Sequence, residues 1–253
     1  MPQLEGGVAT CELIILQAGF RAMKPHRYSL IYMIAAIGLL LGGFLRARDV
    51  SGSGNEGSLF RSGTAFFVTR AGEMLTSAHV VRGCLRLKVW TTDNGSIPAT
   101  VESVDEAGDM ALLSTRHKVD LAAVPGKERV PRNSAVFTIG FGLTPSSPLV
   151  PVFTRGTMQG EGYVKGRRLL VLRAVLYEGN SGGPVIDGGG HLVGMVIGRY
   201  VNRPELSVAV GLSELTNFVG RRGNMESPST SRIATADPRA ELRRISALVQ
   251  CIE

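Results

Sequence analysis

Residues that bind metals are scarce in this chain, which contains three cysteines and four histidines. Cys11, Cys84 and Cys251 form no CxxC motif and have no spacing typical of a zinc site. We therefore expect the protein to use no metal and no other cofactor. A disulfide between Cys84 and Cys251 is chemically allowed outside the cytoplasm, and free buried thiols are the alternative.

Aromatic residues are also few, at 6% of the chain, and the formal net charge of +7 is not concentrated in one region. Residues 51–220 contain 17 Lys and Arg against 14 Asp and Glu, which leaves this region at only +3. Nucleic-acid-binding proteins usually need a stripe of basic residues, often with aromatic side chains that stack on bases. Nucleic acid is therefore not an expected partner.

Charges are missing altogether from Tyr28 to Leu45, a run of 18 residues. This length is close to the lower limit for a helix that crosses about 30 Å of hydrocarbon. We predict a transmembrane segment at 28–45 that remains in the protein, after an N-terminal segment at 1–27. The alternative is a cleaved signal peptide that begins at Met23. Both interpretations predict that the rest of the chain is exported across a membrane, to the periplasm or the extracellular space.

A Gly- and Ser-rich linker at 46–58 leads to a body of short strand-like runs at 59–220. These runs are rich in Val, Thr and aromatic residues and fall into two sets, with a boundary at about 116–133. They predict an all-β fold, and SELTNFVG at Ser213–Gly220 predicts one short closing helix. We predict a polar tail at 221–253, whose last stretch forms either a short amphipathic helix or a frayed terminus.

One serine, Ser181, lies in the glycine-rich stretch EGNSGGPV and is the candidate nucleophile. A serine hydroxyl needs a base that takes its proton, and the base needs a partner that orients it. His79 in TSAHVV is the candidate base, because it lies where a strand-like run ends. The other histidines have simpler explanations: His26 lies beside the apolar run, His117 in a charged segment and His191 in a turn soon after the serine.

Asp109 in GDMALL is the candidate orienting carboxylate, because it directly precedes an apolar strand. TSAHVV, GDMALL and GNSGGPV resemble, in this order, the histidine, aspartate and serine boxes of trypsin-like (chymotrypsin-fold) serine peptidases, and above all of the HtrA/Deg branch. The resemblance covers roughly Thr64–Gly220. It implies two six-stranded antiparallel β-barrels, with the active site in the cleft between them.

The resemblance also implies a role for each residue. His79 would be the general base, Asp109 would orient it, and Ser181 would form an acyl-enzyme. The backbone N–H groups of Gly179 and Ser181 would form the oxyanion hole. Asn180 stands where digestive trypsins have an aspartate that pairs with a newly cleaved N-terminus, so we do not expect activation by propeptide cleavage. The 33 residues after position 220 are too few for the PDZ domain typical of the HtrA branch.

The geometry of the family places the floor of the S1 pocket near Val175 and its wall at Ile197, Gly198 and Arg199. Because the floor carries no charge, we expect a preference for small or medium aliphatic residues at P1, which Arg199 could alter. The prediction is a serine endopeptidase that cleaves protein substrates in processing or quality control outside the cytoplasm. The alternative is a catalytically silent module of the same fold that binds or senses peptides.

Overall fold

A computed structural model describes residues 13–15, 60–93, 95–142, 149–220, 225 and 237–252. The chain divides into two units, and all the described residues belong to the first, which is made of Met1–Ala18 and Leu59–Glu253. The predicted transmembrane segment at 28–45 and the linker at 46–58 lie outside the described residues. Within the described ranges, no helix is long and apolar enough to cross a membrane.

The described part of the first unit consists mainly of β-strands, with three helices. In chain order the elements are β1 (Leu13–Ile15), β2 (Phe60–Phe67), β3 (Glu73–Thr76), α1 (Ala78–Val81), β4 (Arg86–Thr91), β5 (Gly95–Pro98), β6 (Thr100–Asp105), β7 (Met110–Ser114), β8 (Ala135–Gly140), β9 (Val152–Val164), β10 (Arg167–Arg173), β11 (Pro184–Asp187), β12 (Leu192–Tyr200), β13 (Leu206–Gly211), α2 (Leu212–Gly220), α3 (Pro238–Ile245) and β14 (Ser246–Ile252).

Six strands of the C-terminal half close into a barrel. Neighbouring strands follow the order β12-β11-β8-β9-β10-β13, and β13 pairs with β12 to complete the ring. Successive side chains of a strand point to opposite faces. On β13, Ala209 accordingly clusters with Leu172 of the same barrel, whereas Val208 and Val210 cluster with Leu215 of α2. The predictions of a second six-stranded barrel and of a short closing helix are confirmed.

The other half is a seven-stranded sheet in the order β5-β4-β14-β2-β3-β7-β6. Its edge strands, β5 and β6, are separated in the chain by Ala99 alone. The sheet is therefore strongly curved, because the end of one edge strand lies close to the start of the other. Pro98 ends β5 and has no N–H donor with which to continue a ladder. The predicted first six-stranded barrel is therefore wrong in detail, because this sheet is a half-barrel with seven strands.

The seventh strand of this sheet comes from the C-terminal end of the chain. β14 lies between β2 and β4 and is antiparallel to both, so that Leu248 is opposite Thr64 on one side and Trp90 on the other. Ala247, Leu248 and Val249 are completely buried. The predicted polar tail is therefore wrong for residues 237–252, because the short apolar run SALVQCI follows a polar segment that dominates the composition of the tail.

A short helix and a disulfide hold this strand in place. Asp237 caps α3 by accepting a hydrogen bond of 2.9 Å from the backbone N–H of Arg239, and Leu242 and Ile245 bury one face of the helix. The predicted amphipathic helix is thus correct for Pro238–Ile245 only, because Ser246–Ile252 form a strand that neither of the two predictions included. Cys84 and Cys251 form the disulfide that the sequence allowed.

Candidate active site

His79 lies on the single turn α1, which directly follows β3. Its side chain is only 3% exposed. Nδ1 lies 2.8 Å from Oδ2 of Asp109 and 3.0 Å from Oδ1. The backbone N–H of His79 also donates to Oδ1 of Asp109, at 3.0 Å. The imidazole is therefore fixed against one carboxylate through both its ring and its backbone.

Asp109 immediately precedes β7 and is 6% exposed. Its φ of 51° lies in the left-handed region, which a short Asp side chain tolerates better than most residues. The turn before it is closed by two hydrogen bonds, from Gly108 N–H to Oδ1 of Asp105 at 2.8 Å and from Asp109 N–H to the carbonyl oxygen of Glu106 at 3.4 Å. The tight turn allows the carboxylate to reach α1 from the neighbouring part of the sheet.

Ser181 lies in the loop that enters β11 and is 1% exposed. The residues after it are held by β12, because Gly182 N–H donates to the carbonyl oxygen of Val196 at 2.8 Å and Val196 N–H donates to that of Gly183 at 2.9 Å. Gly182 has a φ of 81°, which glycine adopts without strain. The serine is thus placed by the closed barrel, whereas His79 and Asp109 come from the half-barrel.

The hydroxyl of Ser181 and Nε2 of His79 are both buried, and neither has a hydrogen-bond partner among the described residues. The two atoms are therefore not hydrogen-bonded to each other in this state. Catalytic hydrogen bonds of free enzymes are often long and tighten only when substrate binds. The structure thus contains the His–Asp pair in its bonded form and the Ser–His pair in an unbonded form.

The loop before the nucleophile is built around Asn180, which is 4% exposed. Its Oδ1 accepts from Tyr177 N–H at 3.0 Å, and its own N–H donates to the carbonyl oxygen of Tyr177 at 3.2 Å. Gly179 has a φ of 95°, and a β-carbon there would overlap the carbonyl oxygen of Phe141. In the described part of the chain, the N–H groups of Gly179 and Ser181 have no hydrogen-bond acceptor. These donors are the ones that an oxyanion hole requires.

The predicted pocket residues lie in different environments. Val175 is 46% exposed, between the buried Ala174 and Leu176, and so lies more openly than the floor of an enclosed pocket. Ile197 is buried in the hydrophobic core, which leaves little of its side chain for a substrate. Arg199 is partly buried, and its Nε has no hydrogen-bond partner among the residues that the structure describes. The assignment of these residues to an S1 pocket stays a prediction.

The edge of β12 at Gly198–Tyr200 pairs with an additional strand. β1 pairs with it in antiparallel orientation, with Leu13 opposite Tyr200 and Ile15 opposite Gly198. The backbone of Gly198–Tyr200 can thus bind an extended segment by strand addition, which is one of the common modes of peptide recognition. The sequence alone gave no indication of β1.

Three features around the site were not predicted. Thr64 contacts the nucleophile loop from β2. Arg61 donates to the backbone of the base. Arg82, directly after α1, binds Glu106 in the turn before Asp109.

A hydrogen bond from Arg82 holds the pKa of Glu106 below its ordinary range, and the same bond raises the pKa of Arg82. Of the three features, the sequence contains a signal only for Arg82, because this residue directly follows HVV in the motif of the candidate base.

Comparisons with known proteins point to one family. A family model described as a trypsin-like peptidase domain matches residues 63–195. The serine protease HTRA1 of Xenopus laevis is 29% identical over 172 residues, which cover 66% of this chain and 37% of that protein. The serine protease Rv3671c of Mycobacterium tuberculosis is 27% identical over 164 residues, which cover 62% and 41%. The chain spans between 27% and 42% of the length of the first curated relatives that it matches.

Solved structures show the same fold. The active form of the Rv3671c protease superposes with a TM-score of 0.57 at 24% identity, covering 68% of this chain and 78% of that one. The HtrA-type protease AlgW, solved with a decapeptide, gives a TM-score of 0.56 at 22% identity, covering 64% and 52%. Because both identities are below 25%, the structural similarity supports the fold, which is the arrangement of the two β-sheets.

Proposed function

Because this chain belongs to the trypsin-like peptidase family, whose model matches more than half of it, we propose that it is a serine endopeptidase of the HtrA type that cleaves protein substrates. Ser181 is the nucleophile, His79 the general base and Asp109 the group that orients the base. The backbone N–H groups of Gly179 and Ser181 bind the oxyanion. No metal or organic cofactor takes part in this reaction.

The bond between His79 and Asp109 is the observation that carries the proposal. An ionised carboxylate only accepts hydrogen bonds, so Nδ1 bears the proton of the neutral imidazole. Nε2 then carries the lone pair, and it is the ring nitrogen that is buried without a partner in the described part of the chain. This tautomer is the one that a general base needs in order to accept the hydroxyl proton of a serine.

The reaction proceeds in two halves. The Oγ of Ser181 attacks the carbonyl carbon of the scissile peptide bond, while Nε2 of His79 takes the hydroxyl proton. The carbonyl oxygen becomes an oxyanion, and the tetrahedral intermediate collapses when His79 gives its proton to the leaving amine. The acyl-enzyme remains, with an ester bond to Ser181. Water, deprotonated by His79, then attacks this ester, and His79 returns the proton to the departing Oγ, which releases the acid and the free serine.

A catalytically silent peptide-binding module is the second candidate function. The observation that favours it is the unbonded state of the Ser181 hydroxyl and His79 Nε2. A cleft that is not assembled for catalysis would still bind an extended peptide along β12, because that interaction uses backbone groups only.

The deciding experiment is covalent labelling with a fluorophosphonate probe, combined with cleavage of an unfolded protein substrate. We expect labelling and cleavage by the native protein and by Ser213→Ala, a control on α2, and neither by Ser181→Ala. A folded native protein that stays unlabelled with excess probe, yet binds peptides, would establish the silent module instead.

We also propose that small or medium aliphatic side chains are preferred at P1. The uncharged Val175 beside the nucleophile loop supports this preference, because it has no group that could pair with a substrate Lys or Arg. Cleavage-site sequencing of a peptide library tests it, and a majority of sites after basic residues would overturn it.

We further propose that the peptidase acts outside the cytoplasm, tethered by residues 28–45 or released after their cleavage. The Cys84–Cys251 disulfide supports this location, because disulfides persist mainly in oxidising compartments. A fusion of residues 1–58 to a reporter that is active only after export tests the location. An inactive but intact fusion would overturn it.

A further inference from the structure

A buried threonine of the half-barrel holds the nucleophile loop of the closed barrel. Thr64 lies on β2 and is 0% exposed. Its hydroxyl donates to the carbonyl oxygen of Gly179 at 2.6 Å. Its backbone N–H donates to the carbonyl oxygen of Ser181 at 2.8 Å. One residue thus binds the loop on both sides of Asn180, from a part of the chain 115 residues away from Gly179.

The direction of the hydroxyl bond is fixed by its surroundings. The Oγ1 of Thr64 accepts from Phe141 N–H at 3.3 Å, and a carbonyl oxygen such as that of Gly179 can only accept. The hydroxyl hydrogen therefore points to Gly179. The carbonyl oxygen of Thr64 in turn accepts from the hydroxyl of Thr76 at 2.7 Å. The hydroxyl, the backbone N–H and the carbonyl oxygen of Thr64 are thus all occupied by structural bonds.

The peptide plane that Thr64 holds lies between the two oxyanion donors. Peptide units are planar, so the carbonyl of Gly179 and the N–H of Asn180 move together. This plane is bonded at both ends, to Thr64 and to the carbonyl oxygen of Tyr177. The neighbouring plane on one side carries the N–H of Gly179, and the neighbouring plane on the other side carries the N–H of Ser181. Fixing the middle plane limits the orientation of both donors.

A glycine at position 179 makes such a restraint necessary. Glycine has no β-carbon and occupies several backbone regions with similar energy, including the φ of 95° found here. The backbone of Gly179 alone therefore does not select the orientation that presents the N–H groups to an oxyanion. The Thr64 hydroxyl bond does select it, because rotation of the middle plane would leave a buried hydroxyl and a buried carbonyl unpaired.

We propose that Thr64 is a positioning residue that sets the oxyanion hole through its hydroxyl bond to Gly179. The proposal rests on the proposed peptidase function. The oxyanion is fully charged only in the tetrahedral intermediate and the transition states that lead to it, so the clamp affects kcat and leaves substrate binding largely unchanged. The two hydrogen bonds of Thr64 to the loop end on backbone carbonyl oxygens, so its role is to position the loop.

The test compares Thr64→Val, which keeps the shape and removes the hydroxyl, with Thr64→Ser, which keeps the hydroxyl. We expect kcat to fall by about 10- to 100-fold in Thr64→Val, less than when an oxyanion donor itself is removed, with KM nearly unchanged. Thr64→Ser should stay within a few-fold of the native kcat. The affinity for a peptide boronate, whose tetrahedral adduct occupies the oxyanion hole, should fall in parallel with kcat.

Thr115→Val is the matched control. The Thr115 hydroxyl is also buried, donates to a glycine carbonyl (Gly72, 2.9 Å) and accepts from a backbone N–H (His117, 3.2 Å), and neither of these bonds involves the nucleophile loop. Thr115→Val should lower thermal stability about as much as Thr64→Val and leave kcat unchanged. Thr64→Ala serves for the same comparison if Thr64→Val does not fold.

Two outcomes would overturn the clamp while leaving the peptidase function intact. One is a native kcat in folded Thr64→Val or Thr64→Ala. The other is an equal loss of kcat in Thr64→Ser, because the hydroxyl would then not be the cause. An inactive native protein would instead refute the proposed function itself, so the two failures are distinguishable.

Discussion

The guanidinium of Arg61 donates a hydrogen bond of 3.0 Å to the backbone carbonyl oxygen of His79. Arg61 lies opposite Cys251 in the ladder between β2 and β14, and Cys251 is joined by a disulfide to Cys84, shortly after α1. The C-terminal strand is therefore connected to the segment that carries the base by two routes. One route runs through the β2–β14 ladder to Arg61 and its hydrogen bond to His79, and the other is the covalent disulfide.

Removal of this disulfide should lower stability more than activity. The bond connects residues 167 positions apart, and such cross-links restrict the unfolded chain, typically by about 2–4 kcal/mol. We expect Cys84→Ser with Cys251→Ser to lower the free energy of unfolding in urea by roughly this amount, with kcat unchanged well below the melting temperature. Reduced native protein should match the variant, and reductant should not affect the variant further. An unchanged urea midpoint would contradict the prediction.

Asp109→Asn should abolish most of the activity without unfolding the protein. An asparagine amide can donate to Nδ1 of His79, which would leave the proton on Nε2 and remove the base. We expect kcat to fall by about 10⁴-fold, measured with circular dichroism as a check on the fold. Asp105→Asn is the control, because its side-chain oxygen can still accept from Gly108 N–H. If both variants lost activity equally, the loss would reflect the turn and not the carboxylate.

Gly179→Ala should disrupt the oxyanion loop, because its β-carbon would overlap the carbonyl oxygen of Phe141. Gly160 provides the comparison, since it also has a positive φ, 108°, but a β-carbon there meets no atom within 4 Å. We expect Gly179→Ala to lose at least about 10²-fold in kcat, as when an oxyanion donor is removed. Gly160→Ala should show only a modest loss of stability with native kcat. Native turnover in Gly179→Ala would refute the assignment of the loop.

The pairing of His79 with Asp109 was predictable because its chemistry lies in short local motifs. A base at the end of a strand, a carboxylate before a buried strand and a serine among glycines each have a chemical reason that a few neighbouring residues reveal. The structure brings His79 and Asp109 together as expected. The missing Ser181–His79 bond could not be predicted, because it depends on rotamers and distances that no motif specifies.

The C-terminal strand shows why the rest of the fold could not be predicted. SALVQCI is seven residues long, and its partners on β2 and β4 lie far away in the chain. Its burial is therefore decided by long-range pairing, whereas the polar composition of residues 221–245 suggests a tail. Thr64 was missed for a related reason, since a threonine in a strand is typical of any β-sheet. Only the position of the loop opposite it gives the hydroxyl a role.

Glu106 should make the stability of the site region depend on pH. Its hydrogen bond with Arg82 lowers its pKa, so the folded state binds fewer protons than the unfolded state near the ordinary Glu pKa of about 4.3. The stabilisation is then fully present above that pH and is lost as the pH falls through the lowered pKa. Both side chains are about half exposed, at 50% and 54%, so the pair contributes less than about 1 kcal/mol.

We therefore expect Glu106→Gln to be less stable than the native protein by up to about 1 kcal/mol at pH 7, and the difference to shrink as the pH falls below the ordinary Glu pKa of about 4.3 and through the lowered pKa of Glu106. Urea unfolding at a series of pH values measures it. Arg82→Gln should show the same profile, and about 1 M salt should shrink both differences at pH 7, because exposed charges are screened. A difference between native protein and Glu106→Gln that grows towards low pH would contradict the sign of the shift, because a protonated Glu106 no longer forms an ion pair with Arg82.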